Sequence, residues 1–327
     1  MHNFKDEISE FKKPELLASI VKRLGNPEST SLLHSPCNVF QIPQVDGAIG
    51  YHLIGNCAVV IGDPICLPQD IAELTKAFHL YCQECNLTTI YLLACHDFAH
   101  WAINNGCRTL IEIGSELSIN PTNYRKAHKL RWSINQSIKH GVHVKENIDF
   151  DPSLENQLKK TIHTWSKQRR GPQMHLGNIN FFNSDDEKRI FYAQQKDKII
   201  GLLILTPVDR YQGWVMSSCL AILDAPSGTT EHLICSTCDT LANENCQFFC
   251  LGIVSGTQSG EAVGLSPFGR TLADFIFKAT RWLFKLDAKA IYLNKYHPYL
   301  RSTFLLCRGK LKITELLAIK HVLNVKL

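Results

Sequence analysis

The chain has no apolar run long enough to span a bilayer, so no integral membrane segment is expected. Its opening, Met1-His2-Asn3-Phe4-Lys5-Asp6-Glu7, lacks the basic and then apolar layout of a secretion signal. Those two absences point to a cytoplasmic protein, peripheral at a membrane at most. No Gly-x-x-x-x-Gly-Lys and no Gly-x-Gly-x-x-Gly occurs, which removes the P-loop and the dinucleotide-binding fingerprint. Charged residues make up only 20% against 45% hydrophobic, which is the balance of a folded globular chain and excludes wholesale disorder. At 327 residues, one large domain or two medium ones can each bury a core.

Metal motifs fail on inspection. His96-Asp97-Phe98-Ala99-His100 places two imidazoles one helical turn apart, but the intervening acid is the short Asp and no third ligand has convincing spacing. Cys82/Cys85 and Cys235/Cys238 each lie inside an expected helix, where thiols at i and i+3 share the apolar face and pack into the core. The thirteen cysteines are odd in number and scattered through apolar segments, the pattern of reduced buried thiols. No metal site is expected.

What is present begins with the passage Gly213 to Ile234. An apolar strand pattern runs into Ala225-Pro226-Ser227-Gly228 and then into a helix opening at Thr229, Thr230 and Glu231. Pro226 and Gly228 break the strand, and a hydroxyl is placed to cap the first free N–H groups. Those N–H groups and the helix dipole favour a phosphate, a carboxylate or a carbonyl gaining negative charge.

The surrounding pattern reads as two similar halves. The first has a helix over 4–24, short strands at 38–43, 48–54 and 57–61, a helix at 68–86, a strand at 89–94, a helix at 96–105, a strand at 108–113, a helix at 122–140 and a strand at 142–146. The second has a helix at 152–169, strands at 189–195, 199–206 and 213–222, a helix at 229–244, a strand at 247–252, a helix at 268–285 and a strand at 289–294. Both halves put an antiparallel meander before βαβα, the grammar of two mixed α/β domains. The expected division is a helical extension over 1–32, a first domain over 33–150 and a second over 151–327.

The formal charge of +5 is modest, but Arg125, Lys126, Lys129, Arg131 and Lys139 are concentrated in one helix, with Lys167, Arg169 and Arg170 later. Such clusters suit RNA, a lipid headgroup or a nucleotide phosphate, and equally a solvated helix face. On that helix Tyr124, Ala127, Leu130, Ile134 and Ile138 form one stripe, with Arg131 at its edge, where a guanidinium needs an acid, backbone or phosphate partner. A structural salt bridge and a site role both fit. Lys295, in Lys295-Tyr296-His297-Pro298-Tyr299 at the end of the last expected strand, can pair with a phosphate or an oxyanion, or lie in a plain surface loop.

Taken in order, Gly62-Asp63-Pro64, Ile113-Gly114-Ser115-Glu116, Leu130-Arg131 with Gly141, Gly201 with Pro207, Ala225 through Glu231, Leu251-Gly252 and Lys295 through Pro298 resemble the C-terminal catalytic domain of phosphatidylglycerol lysyltransferases and its soluble relatives. The resemblance implies two tandem GNAT-like acyltransferase folds and transfer of an aminoacyl group from aminoacyl-tRNA to a lipid hydroxyl, or to another small-molecule hydroxyl or amine acceptor, with neither metal nor tightly bound cofactor. For such a transfer the ester is expected near the N-terminus of the helix opened by Gly228, Thr229 and Thr230, with Glu231 orienting the α-amine or accepting a proton. Arg131 and Lys295 would hold phosphates, and Ser218 and Glu116 would line the substrate site. The lysyltransferases carry Asp-Leu-Met-Arg before the Pro/Gly turn, whereas this chain has Ser217-Ser218-Cys219-Leu220-Ala221, leaving amino acid and acceptor open. An acyl-CoA acetyltransferase would need a pyrophosphate cradle that Gln258 through Val263 does not match. A non-catalytic tRNA- or lipid-binding module of the same fold is the remaining alternative.

Overall fold

A computed structural model describes residues 14–34, 36–148, 151–168, 187–255, 260–265 and 286–323. The expected helix at 268–285, the start of the one at 4–24, and Arg169 and Arg170 lie outside the described residues.

The helices are α1 (Pro14–Leu24), α2 (Ile71–Glu84), α3 (His96–Asn104), α4 (His128–Lys139), α5 (Pro152–Gln168), α6 (Thr229–Asn243), α7 (Leu286–Asn294) and α8 (Ile313–Val322). The strands are β1 (Asn38–Phe40), β2 (Gly47–Ile54), β3 (Cys57–Ile61), β4 (Ile65–Cys66), β5 (Thr88–Cys95), β6 (Thr109–Ile119), β7 (Val142–Asn147), β8 (Arg189–Gln195), β9 (Lys198–Val208), β10 (Gly213–Ala221), β11 (Phe248–Ser255), β12 (Ala262–Val263) and β13 (Tyr299–Cys307). They join in one mixed sheet of order β1-β2-β3-β5-β13-β6-β11-β10-β9-β8-β7, with β4 on β2 and β12 on β6.

Each half repeats one plan. Antiparallel β2 and β3 lead through α2 to β5, parallel to β3, then through α3 to β6. Antiparallel β9 and β10 lead through α6 to β11, parallel to β10, and the chain then passes through α7 to β13. This is the tandem GNAT-like architecture that the resemblance implied. The halves exchange their last strands: β13 lies between β5 and β6, and β6 lies between β13 and β11.

The central strands read as continuous apolar runs because both sheet faces are covered. On β3, Ala58 and Val60 pack with Phe78 and Leu74 of α2, while Cys57, Val59 and Ile61 pack with Leu17, Ile20 and Val21 of α1. In α2, Leu74, Phe78 and Cys82 recur every four residues and are fully buried, which is why Cys82 behaves as a core residue. Truncating a ring such as Phe78 would remove about 3–5 kcal/mol.

Three expectations need correction. The run Ala290-Ile291-Tyr292-Leu293-Asn294 is not a strand but the end of α7: Ala290, Leu293 and Tyr296 repeat every three residues and bury one face. The helix expected from residue 122 starts at His128, because Pro121–Asn123 forms a 3-10 turn capped by the Asn120 side chain, and Tyr124 and Ala127 are extended. Finally β13 and α8, which the pattern gave no hint of, close the fold, and β13 lies near the middle of the sheet.

Candidate functional site

The turn before α6 is built by tight contact with α4. Gly228 has φ +88°, and a Cβ there would lie 2.0 Å from the Ser133 carbonyl oxygen. Only glycine allows both that dihedral and that approach. The expected hydroxyl cap is absent: the N-cap is Gly228, and the Thr229 hydroxyl donates instead to the Pro226 carbonyl at 2.6 Å. Thr229 is buried, so it shapes the turn and presents no hydroxyl to a substrate.

Thr230 and Glu231 face outward into a hydrogen-bonded chain with the end of α7. The Tyr292 hydroxyl donates to Thr230 Oγ1 at 2.8 Å, and the Thr230 hydroxyl donates to Glu231 Oε2 at 2.9 Å. Glu231 Oε1 accepts from Lys295 Nζ at 2.5 Å. Lys295 Nζ also stands 3.7 Å from the centre of the Tyr292 ring, a cation–π contact, and the Tyr296 hydroxyl lies 3.4 Å from that of Tyr292. The pair is half-buried, with side-chain exposures of 13% for Glu231 and 26% for Lys295.

Burial alone would raise the Glu231 carboxyl, but Lys295, the Thr230 hydroxyl and its own backbone N–H together hold it below the usual carboxylate range. It is therefore an anion at neutral pH. Burial pushes the Tyr292 and Tyr296 phenols up, so both stay protonated donors. Cys219, on β10 beside this group, is pushed up to about 12 by desolvation and then by the Glu231 charge. A thiol held that high is a poor nucleophile at neutral pH, which disfavours a covalent acyl intermediate on it.

An opening in the sheet lies next to these residues. Parallel β10 and β11 are paired only from Gly213↔Phe248 to Val215↔Cys250. Beyond that β10 stays on β9 and β11 stays on β6, each through a bulge, at Met216/Ser218 and Cys250/Gly252. Met216, Ser217, Ser218 and Cys219 are all half-buried, so the strand loses its in–out alternation there. Such a wedge, whose inner edges carry N–H and C=O groups unpaired across it, can receive an extended polar chain.

The structure therefore brings Gly228, Thr230, Glu231 and Lys295 together, with Thr229 beneath them and Ser218 at the bulge of the wedge. It does not bring in the other two candidates. Arg131 projects into solvent from α4, with no acid partner among the described residues, because Leu130 and not Arg131 fills the buried side of that helix. Glu116 is buried elsewhere, bonded at 2.7 Å by Arg301 of β13, which also donates to the Tyr211 hydroxyl. Buried Glu28 and Asp63 lie near this second polar cluster. Tyr292, Tyr296 and Arg301 were not anticipated. Reading 286–294 as a helix would have revealed the first two, since Tyr292 and Lys295 at i and i+3 share a face.

His96 and His100 open α3 with ring centres 4.3 Å apart, and His100 contacts Glu261 at 3.3 Å. No group of three or more His, Cys, Asp or Glu able to hold a metal occurs among the described residues.

Comparison with known proteins bears on the fold and the family. No curated protein matches the chain. Among solved structures it is similar to the C-terminal domain of a putative lysylphosphatidylglycerol synthetase from Agrobacterium fabrum, at 16% identity and TM-score 0.78, covering 97% of this chain and 98% of that one. It is similar also to L-PGS from Bacillus licheniformis, at 18% identity and TM-score 0.79, covering 96% and 97%. A conserved protein of unknown function from Bacteroides thetaiotaomicron follows at 10% identity and TM-score 0.59, covering 90% and 92%. Identities this low establish the fold alone. The protein-family profile described as phosphatidylglycerol lysyltransferase, C-terminal, matches residues 19–307, most of the chain. The chain belongs to that family.

Proposed function

We propose that the protein is an aminoacyltransferase that moves an aminoacyl group from aminoacyl-tRNA to a lipid hydroxyl, working at the wedge between β10 and β11. The observation that carries the reading is the Tyr292–Thr230–Glu231–Lys295 chain at the start of α6, next to that opening. An aminoacyl ester is already activated, so the protein has to align, exclude water and meet developing charge.

In this reading the Glu231 carboxylate binds the α-ammonium of the aminoacyl group. Lys295, fixed by Glu231 and the Tyr292 ring, keeps an N–H free for the carbonyl oxygen as it becomes an oxyanion. The acceptor oxygen bonds to the carbonyl carbon, the bond from that carbon to the ribose oxygen breaks, and the acceptor proton ends on the departing ribose hydroxyl. No covalent enzyme intermediate is required. Among the described residues no helix is long and apolar enough to cross a membrane, so the lipid would be met at a surface.

The test is transfer of radiolabel from a panel of charged tRNAs into total lipid extract. Label should enter the lipid phase for at least one amino acid. Glu231→Gln and Lys295→Met should each lower the rate about 100-fold, the usual cost of one oxyanion or orienting group. No transfer from any charged tRNA, or acetyl transfer from acetyl-CoA in its place, would remove the proposal.

A further inference from the structure

From Ala288 to Leu327 the chain has a single acid, Glu315, against eight lysines and arginines. That acid is used internally. Glu315 is buried, and its Oε2 accepts from the Lys312 backbone N–H at 2.9 Å and from the Thr314 hydroxyl at 2.8 Å, which closes the first turn of α8. Arg301 is spent on Glu116, and Arg308 on the His79 carbonyl. Lys310, Lys312 and Lys320 are exposed and have no acid partner among the described residues.

The same cations flank exposed aliphatic surface. Ala318 of α8 belongs to the core cluster of Leu17 and Ile20, on the sheet face opposite α2. Ile313 and Leu317, one turn apart, are left 69% and 58% exposed, and Lys320 and His321 continue their stripe. A cavity of about 570 Å³ opens between this helix and the turn that joins β2 to β3. Ile54, Cys57, Leu317 and Ala318 give it an apolar lining, while Lys320 and His321 bring donors to it.

Lysines beside exposed Ile and Leu fit an anionic bilayer, where the aliphatic side chains enter the acyl boundary and the ammonium groups meet lipid phosphates. Single-stranded nucleic acid wants aromatic platforms, and α8 contains no Phe, Tyr or Trp. A protein interface of ordinary composition is built on aromatic and Arg anchors and is poor in Lys. Two aliphatic residues are a weak anchor alone, so charge and insertion have to act together.

We propose that α8 and the Lys310–Lys312 segment before it seat the protein on an anionic phospholipid surface. Ile313 and Leu317 enter the bilayer, Lys310 and Lys312 pair with lipid phosphates, and Lys320 with His321 holds one headgroup phosphate at the mouth of the cavity. The inference goes beyond the transfer reading, which concerns α6 and α7, and it stands on membrane binding alone.

The test is flotation of the full chain with phosphatidylcholine vesicles, with and without phosphatidylglycerol, across a salt series. Wild type should float with the anionic vesicles, stay behind with the neutral ones, and release as salt rises. Lys310→Gln with Lys312→Gln should weaken binding by about 25-fold, roughly fivefold for each lysine. Ile313→Ser with Leu317→Ser should weaken it by about tenfold or more. All four positions are on the surface, and an unchanged urea midpoint checks that the variants fold. In the label-transfer assay both double variants should lose transfer to lipid in vesicles and keep it for the same lipid dispersed in detergent, whereas Glu231→Gln loses both. Wild type that ignores anionic vesicles at low salt overturns the proposal, as does equal flotation of wild type and both double variants. Loss of tRNA binding in place of vesicle binding also overturns it, by giving the surface to RNA. In each of these cases label still entering detergent-dispersed lipid would leave the transfer reading standing.

Discussion

Glu231 and Lys295 are half-buried, joined at 2.5 Å, and differ in how easily each reaches water. That difference fixes an order of effects. Glu231→Gln frees an ammonium that is 26% exposed and can swing outward, at a cost of about 1–2 kcal/mol. Lys295→Met strands a carboxylate that is only 13% exposed, at a cost of about 2–3 kcal/mol, below the 3–5 of a fully buried pair. The double variant should cost less than the sum, with a coupling of roughly 1–2 kcal/mol, between the exposed and buried extremes. Unfolding entropy near 2 cal/mol/K per residue over 327 residues converts each kcal/mol to about 1.5 °C in Tm. Urea titration of the four proteins reads the cycle directly. The folded-state pKa of Glu231 lies below its unfolded value, so the stabilisation is present above the unfolded value near 4.5 and is lost as pH falls through the folded value. The coupling should therefore be flat from about pH 8 to 5 and vanish in stronger acid. Single-variant costs that add to the double within about 0.3 kcal/mol would refute the argument, as would a milder effect for Lys295→Met than for Glu231→Gln.

Gly228→Ala should destabilise by about 2–4 kcal/mol in urea, because the new Cβ meets the Ser133 carbonyl at 2.0 Å and φ is positive; a cost under about 0.5 kcal/mol would mean that α4 and α6 do not meet in this way. Glu28 is buried with no hydrogen-bond partner for either carboxylate oxygen among the described residues, and desolvation, then the Glu116 charge, raises its carboxyl well above the ordinary value of 4.5. The unfolded chain gives up this proton first, so the wild type should lose about 1 kcal/mol or more relative to Glu28→Gln as pH rises above about 5. A stability difference that stays constant between pH 5 and 8 would contradict it.

Much of the architecture was legible residue by residue. Cys57–Ile61 and Arg189–Gln195 match their expected bounds because a short apolar or alternating run between turn residues has few other solutions. Ala290–Asn294 was misread because four apolar residues in a row fit either period, and the helical repeat shows only when Tyr296 is included. β13 escaped because Leu300-Arg301-Ser302-Thr303 mixes polar with apolar residues, and the reason is now visible: Arg301 points at buried Glu116 on the neighbouring strand. The candidate site was half legible. Glu231, Thr230 and Lys295 announce themselves through turn chemistry and charge, whereas Tyr292 enters only once its run is helical. Arg131 was drawn toward the core by a helix assumed to begin too early.

The crossing of β6 and β13 has a consequence for how this chain can be cut. A break near residue 150 would deprive β5 and β6 of the strand that separates them, and would part β13 from both of its neighbours. Neither piece could satisfy its middle hydrogen bonds alone, so two co-expressed fragments should reassemble or aggregate, never fold apart. Duplicated units interleaved this way must be inherited, and must fail, as one.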